Sequence, residues 1–386
     1  MSTAEPGRLL VHGMGTELAE PDWSPLTGAE VRAVLAHYPG GGREVRVAWH
    51  SPRPMSAAAL VRRGGETLFV KRHDVRVRTA GQLAAEHAFA GHLRARGVPV
   101  PEVLHTGSGR SAVVRGGAVY EVHRTAPGID LYRDAMSWTP FTSLGHARAA
   151  GAALARLHRA AASFGRAARP PAVLTSSCAI ITAADPVEAV GRLAARRPGL
   201  GRYLAGRRWQ DDLTRYHLPV IRRAAPLLAA QRPQWAHGDW HPSNLTWTSA
   251  GPDAGVAGVF DLGLANRTFV AHDLATAIER STVSWLGLEA TGKAEADLDA
   301  VGALLDGYRS AAPLDAAGLA ALAEVLPVVH LEYALSETEY FADVVHSPGN
   351  VVLAYDGYLV GHTRWFEGPE GSALLDHLRR WPGQNR

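Results

Sequence analysis

His237-Gly238-Asp239-Trp240-His241-Pro242-Ser243-Asn244, followed by Val259-Phe260-Asp261-Leu262-Gly263, decides the reading of this chain. An Asp and an Asn stand five positions apart, and a second Asp follows a short apolar segment. Phosphoryl transfer needs this set. One carboxylate accepts the proton of an attacking hydroxyl, while an amide oxygen and a second carboxylate hold Mg²⁺ on the nucleotide phosphates. The spacing predicts Asp239 as general base, Asn244 and Asp261 as metal ligands, and His237 as a brace of the loop. The competing reading is a solvated loop with an Asx turn. It leaves unexplained why hairpin, spacing and a lysine-bearing strand upstream agree.

The spacing also resembles the catalytic loop and the Asp-Phe-Gly segment of protein kinases, with His-Gly-Asp for His-Arg-Asp and Leu262 for Phe. That pattern, with Asp273-Leu274-Ala275 after it, resembles the aminoglycoside phosphotransferase and choline kinase group of small-molecule kinases. The likeness runs from about Val45 to Ala275. It implies an α+β, two-lobed protein-kinase-like fold: a small antiparallel-sheet N-lobe with one key helix and a large, mainly helical C-lobe. It implies ATP, with GTP as the other candidate, and Mg²⁺. Lys71 would reach the α- and β-phosphates with Glu86 as its partner. Ser51 and Ser56 stand where a glycine-rich loop would be, although Pro52 and Pro54 between them donate no N–H. The segment from Glu121 through His123 to Thr125 would meet the adenine edge. Asp273 either fixes the catalytic loop by accepting backbone N–H bonds or is an ordinary helix N-cap.

Composition excludes several classes. With 386 residues, 46% hydrophobic and 20% charged, the chain can bury a large core. No long apolar run or signal-type N-terminus stands out, which points to the cytoplasm and away from a membrane. A single cysteine, Cys178, excludes an internal disulfide. A net charge of +3 on arginines spread along the chain argues against nucleic acid. Lysine occurs only at Lys71 and Lys293, so Lys71 inside an apolar strand is conspicuous.

Punctuation sets the organisation. Residues 1–40 read as a polar leader with one helix at about 27–38. Residues 41–123 read as the N-lobe and 124–386 as the C-lobe. Strands are predicted over 45–49, 57–62 and 67–71. A capping-box helix runs from Thr79 to about Arg96, and a hairpin turns at Gly116-Gly117. Helices are predicted over 144–163 and 206–231, and residues 165–200 stay unassigned.

The acceptor end offers a separate clue. No Lys or Arg lies between Arg309 and Arg364, while acids and aromatics abound there. Glu332, Ser336, Glu339 and Asp343 share one helix face. Glu332, Glu339 and Asp343 would therefore bind a cationic acceptor; a solvated acidic face is the plainer alternative. The best reading is an ATP-dependent O-phosphotransferase acting on an amino sugar or other antibiotic, as monomer or homodimer. Choline-like and homoserine-like alcohols follow. A metal-dependent hydrolase using His237, Asp239 and His241 is more distant, because it gives Asn244, Asp261 and Lys71 no task. A binding-only pseudokinase is opposed by the intact Lys71, Asp239 and Asp261.

Overall fold

The protein is described by a computed structural model covering residues 10–40 and 42–381. A hairpin of β1 (Val11–His12) and β2 (Leu18–Ala19) leads into α1 (Gly28–Leu35). Thr27 caps α1: its hydroxyl accepts the Glu30 N–H at 3.1 Å, and the Glu30 carboxylate accepts the Thr27 N–H. Val31, Val34 and Leu35 of α1 pack with Leu26 and Tyr38 against Val61, Leu68, Val70 and Val122 of the sheet. Over the described part of the expected leader, this helix buries its apolar face against the sheet. Residues 1–9 of that leader, and residues 382–386 of the expected C-lobe, lie outside the described residues.

The sheet has five antiparallel strands in the order β3-β4-β5-β7-β6. They are β3 (Val45–His50), β4 (Ala57–Arg63), β5 (Glu66–Asp74), β6 (Val113–Arg115) and β7 (Ala118–Arg124). Gly116 and Gly117, at φ +56° and +75°, make the turn between β6 and β7 that side chains resist. In the β5–β7 register Lys71 faces Glu121, and Phe69 faces His123. Residues two apart share a face, so these four point to one side of the sheet. Between β5 and β6 runs α2 (Ala80–Ala95), opened by a Thr79–Gln82 capping box and followed by Gly97 at φ +79°.

The larger part is helical. α3 (Leu144–Ala161) packs on the helix Leu298–Ala311 at backbone contact. A Cβ on Gly151 would lie 1.9 Å from the Leu304 carbonyl oxygen, and one on Gly307 1.9 Å from that of Arg148. Only glycine permits this approach. The unassigned segment supplies α4 (Pro186–Arg196) and α5 (Pro198–Ala205). The single helix expected over 206–231 is instead Trp209–Asp212, a π-turn at Leu213–His217, and the helix Leu218–Ala229. Pro219 lacks an N–H, and the Leu218 N–H bonds back to Leu213 across the wider turn.

Two short antiparallel strand pairs hold the motif. β8 (Gln234–Ala236) pairs with β11 (Asn266–Thr268), and β9 (Leu245–Trp247) pairs with β10 (Val256–Val259). Trp235, Trp240 and Trp247 anchor this region in the core. The stretch Ala316–Val344 is long and apolar enough to cross a bilayer by composition, which the sequence reading passed over. Of its apolar window, 83% is buried inside the protein, as in a core helix.

Candidate active site

The loop between β8 and β9 is held by hydrogen bonds from three directions. Asp273, in the first turn of the helix Val270–Thr282, accepts the His237 N–H at 2.9 Å and the Gly238 N–H at 2.7 Å. It also accepts His158 Nε2–H at 2.8 Å. Burial alone would raise the Asp273 carboxyl; these donors outweigh it and hold it down at about 2. The N-cap of that helix is Phe269, so the capping alternative for Asp273 is not realised. Gly238 sits at φ +77°, where a Cβ would meet the Leu264 carbonyl oxygen at 2.5 Å. His237 donates from Nε2 to the Phe260 carbonyl at 3.1 Å and accepts the Asp239 N–H on Nδ1. Both ring nitrogens are committed. Among the described residues, the groups that converge closely enough for a metal ion do not include the His237, Asp239, His241 set of the hydrolase reading.

Asp239 follows, and Asn244 Nδ2 donates to its backbone oxygen at 2.9 Å and to Oδ2 at 3.1 Å. His241 Nε2 lies 3.5 Å from Oδ1. The dominant partner is one the sequence reading missed: the buried Arg280, whose Nη1 bonds Oδ1. Burial would push the Asp239 carboxyl up, but Arg280 and then His241 hold it far below the usual carboxylate range. A signal did exist. Arg280 is seven residues after Asp273, two helical turns, so both project from one face toward the same loop. Its guanidinium carbon lies 4.9 Å from the ring centroids of both Trp138 and Tyr333. Trp138 itself adopts φ +63°, a conformation strained for a large side chain.

Asp261 adopts φ +56° at the end of the β10 hairpin, and Lys71 Nζ bonds its two carboxylate oxygens at 3.1 and 3.2 Å. The expected pairing of Lys71 with Glu86 is therefore corrected. Glu86 is drawn instead toward the buried Arg169, 3.8 Å away, whose guanidinium also donates to the carbonyls of Gly263 and Ala265. A buried guanidinium needs a counter-ion, and the sequence reading had assigned Arg169 no part.

Ser51, Ser56, Lys71, Glu86, Glu121, His123, Asn244 and Asp261 all line one cleft of about 440 Å³ between the sheet and the loop. Phe69, Leu60 and Val100 give it apolar walls. Glu121 is buried with its carboxylate accepting from His73, His87 and His123 at 2.7–2.8 Å. Burial would raise it; His123 and the other imidazoles hold it well below its ordinary value. The segment Ser51–Ser56 is tied across the cleft by Arg53, which donates to the Ala135 carbonyl at 3.0 Å and to Ser137 Oγ at 3.1 Å.

The three acids assigned to the acceptor lie elsewhere. Glu332 accepts the Ser177 hydroxyl and the Ile180 N–H. Glu339 pairs with Arg197, and Asp343 with Arg202. They bind the segment carrying α4 and α5, which had no assignment and supplies the arginines missing from their own stretch. Another face of the same helix, Leu331–Glu339, carries Tyr333 to Arg280. It also carries Glu337, 1% exposed, with one carboxylate oxygen free of any hydrogen bond.

Comparison with known proteins agrees with this architecture. The structure of a microcompartment-associated aminopropanol kinase superposes with TM-score 0.55 at 19% identity, covering 90% of this chain and 98% of that one. An aminoglycoside phosphotransferase from Alicyclobacillus acidocaldarius gives 0.52 at 18%, covering 93% and 97%. An amicoumacin kinase in complex with AMP-PNP, Ca²⁺ and Ami gives 0.52 at 14%, covering 92% and 94%. At such identities these likenesses establish the fold. A search of curated proteins finds no match to this sequence. The family model described as phosphotransferase enzyme family matches residues 56–314, and the chain belongs to that family of small-molecule kinases.

Proposed function

We propose that this protein transfers the γ-phosphate of ATP to a hydroxyl of a small molecule, with Asp239 as the base. One observation carries the reading: Lys71, Asp261 and Asn244 meet at one cleft, and Asn244 hands on directly to Asp239. The cleft takes the nucleotide. Lys71, paired with Asp261 in the free protein, would turn to the phosphates, and Asp261 with Asn244 would hold Mg²⁺. The donors fit Mg²⁺: Asp261 offers carboxylate oxygen, and Asn244, its N–H₂ held by Asp239, offers its amide oxygen. Bound there, Mg²⁺ would offset charge on the transferring group.

Asp239 orients the acceptor hydroxyl and takes its proton as the new O–P bond forms and the bond to ADP breaks. Arg280 keeps Asp239 ionised and fixes its rotamer. A carboxylate so stabilised is a weak base, which suits a dissociative transition state in which the proton leaves late.

For the acceptor we favour an amino-sugar or other antibiotic, because an aminoglycoside phosphotransferase and an amicoumacin kinase are among the structures that superpose. Amino alcohols are the second reading, favoured by the aminopropanol kinase. A quaternary ammonium in the aromatic group beside Asp239 is disfavoured, because Arg280 already fills the space between Trp138 and Tyr333. The test screens amino-sugar and nucleoside antibiotics, amino alcohols, choline and homoserine for acceptor-dependent ADP formation, and locates the phosphate by mass spectrometry. Absence of Mg²⁺-dependent ATP binding by calorimetry would overturn the reading.

A further inference from the structure

Behind Arg280, on the side away from Asp239, three side chains converge that phosphotransfer leaves without a role. Glu279 precedes Arg280 in the helix Val270–Thr282. His330 stands just before the helix Leu331–Glu339, and His362 ends the π-helical stretch Leu353–His362. All three are buried, at 1%, 1% and 6% exposure. Glu279 Oε1 is 3.2 Å from His330 Nδ1 and 3.3 Å from His362 Nδ1, and the three ligand atoms lie within 4.8 Å of one another.

One contact of the group, His362 Nδ1 to Glu279 Oε1, is a hydrogen bond; the rest fits a hydrogen-bonded core cluster poorly. His330 Nε2 lies 3.2 Å from the Leu359 carbonyl oxygen and 3.3 Å from Thr363 Oγ1, so its N–H is directed there. Its Nδ1 then points toward the Glu279 carboxylate, 3.2 Å from Oε1, without forming a hydrogen bond. Neither His330 Nδ1 nor Glu279 Oε2 has a hydrogen-bond partner. Arg280 Nη1 serves Asp239, and its Nε is 3.9 Å from Glu279 Oε2, so two carboxylates share one cation.

A tetrahedral zinc ion has bonds of about 2.0–2.1 Å to imidazole nitrogen and about 2.0–2.2 Å to carboxylate oxygen, which separates neighbouring ligand atoms by roughly 3.3 Å. The two measured oxygen–nitrogen distances are of that size. Metal-bound histidines usually donate their other N–H to a backbone carbonyl or carboxylate, as His330 does to Leu359. Both rings are also clamped: Trp285 stacks on His362 at 3.6 Å, and Tyr358 on His330 at 5.0 Å.

We propose that Glu279, His330 and His362 form a buried site for a zinc-type divalent cation. The ion joins three segments of the helical part behind Arg280. Two Nδ1 atoms and Oε1 bind it, and the fourth position goes to a water. The guanidinium faces the other carboxylate oxygen. The site is structural and does not depend on the phosphotransfer reading.

The test uses the full chain in excess Mg²⁺, which occupies the nucleotide-side metal position. Zinc is measured by elemental analysis before and after chelation, and Co²⁺ is then added to the chelated protein. The expected result is one equivalent of zinc, visible Co²⁺ absorption of a tetrahedral ion, and a lower Tm after chelation. Glu279→Gln and His362→Gln should weaken Zn²⁺ binding at least about tenfold, the scale seen when even a supporting group of a metal site is changed. His123→Gln should leave it unchanged, since that residue belongs to the separate His87, Glu121, His123 group. Where the Gln variants fail to fold, the wild-type Co²⁺ spectrum decides. Wild type with neither zinc nor a tetrahedral Co²⁺ spectrum overturns the proposal. So does binding that survives His362→Gln and disappears with His123→Gln.

Discussion

The two sides of Asp239 are built on opposite plans. Toward the sheet lies an open cleft in which Lys71 and Asp261 neutralise each other at the surface of a 440 Å³ space. Toward the helices lies packed structure, in which Arg280 is 2% exposed and sits between Trp138 and Tyr333. Charges on the first side are exchangeable, because a ligand can replace either member of the pair. Charges on the second are fixed, because removing one leaves the other buried without compensation. On the proposed function, the nucleotide side would thus be arranged to bind and release, and the acceptor side to hold one carboxylate in one place.

The largest effect should come from the group shared by both sides. Asp239→Asn should lower turnover by about 10²-fold or more, the scale of a positioned base, while calorimetry finds ATP binding nearly unchanged. Wild-type turnover in this variant would remove Asp239 from the mechanism. Next is Arg280→Met, a test of the fixed side. Breaking a buried ion pair costs about 3–5 kcal/mol. Since Asp239 keeps 19% side-chain exposure, the loss should fall near the lower end, measured by urea unfolding. Unchanged stability would show that Asp239 is as exchangeable as Asp261.

Lys71→Ala probes the exchangeable side, and its effects should have opposite signs. ATP affinity should fall at least about tenfold, since a charge-assisted bond is worth about 1.5–3 kcal/mol. Mg²⁺ binding to the nucleotide-free protein should strengthen, because Asp261 loses its internal competitor. Calorimetry of both ligands checks the pair. Weakening of both would show that Lys71 orders Asp261 rather than competing for it.

This contrast also explains what the sequence disclosed. The loop from His237 to Asn244 and the hairpin to Asp261 are local, so spacing alone brings their side chains together. Lys71 was legible because a strand and its turn fix which face it takes. Arg280 was hidden by distance along the chain, although the sequence places it two helical turns after Asp273. Glu332, Glu339 and Asp343 did share a helix face, as their spacing required. What spacing could not give was the neighbour of that face. It is the segment carrying α4 and α5, whose Arg197 and Arg202 neutralise two of the acids. Absence of basic residues within one stretch says nothing about those that fold onto it. The same limit applied to Glu86, whose neighbour Arg169 lies far away in sequence.

The other face of that helix provides the smallest and sharpest test. Burial pushes Glu337 up to about 8, against an ordinary value near 4.5, and Arg280 and Tyr333 offset this only in part. The sign follows from linkage. The folded state holds the proton across a range in which the unfolded chain has released it. This contribution to stability is therefore intact below about pH 4.5 and declines as pH rises toward 8. Each unit of pH in that window removes about 1.4 kcal/mol from this single group, as an upper limit. Glu337→Gln keeps the shape and cannot ionise, so its Tm should fall less than that of wild type between pH 6 and pH 8. Glu332, pushed by burial to about 7, gives the same sign with Glu332→Gln, but its decline should end about one unit sooner. Parallel Tm curves for wild type and Glu337→Gln would mean that Glu337 is ionised when folded. The acceptor side would then carry a free negative charge beside Arg280, and a cationic acceptor would regain a place to bind.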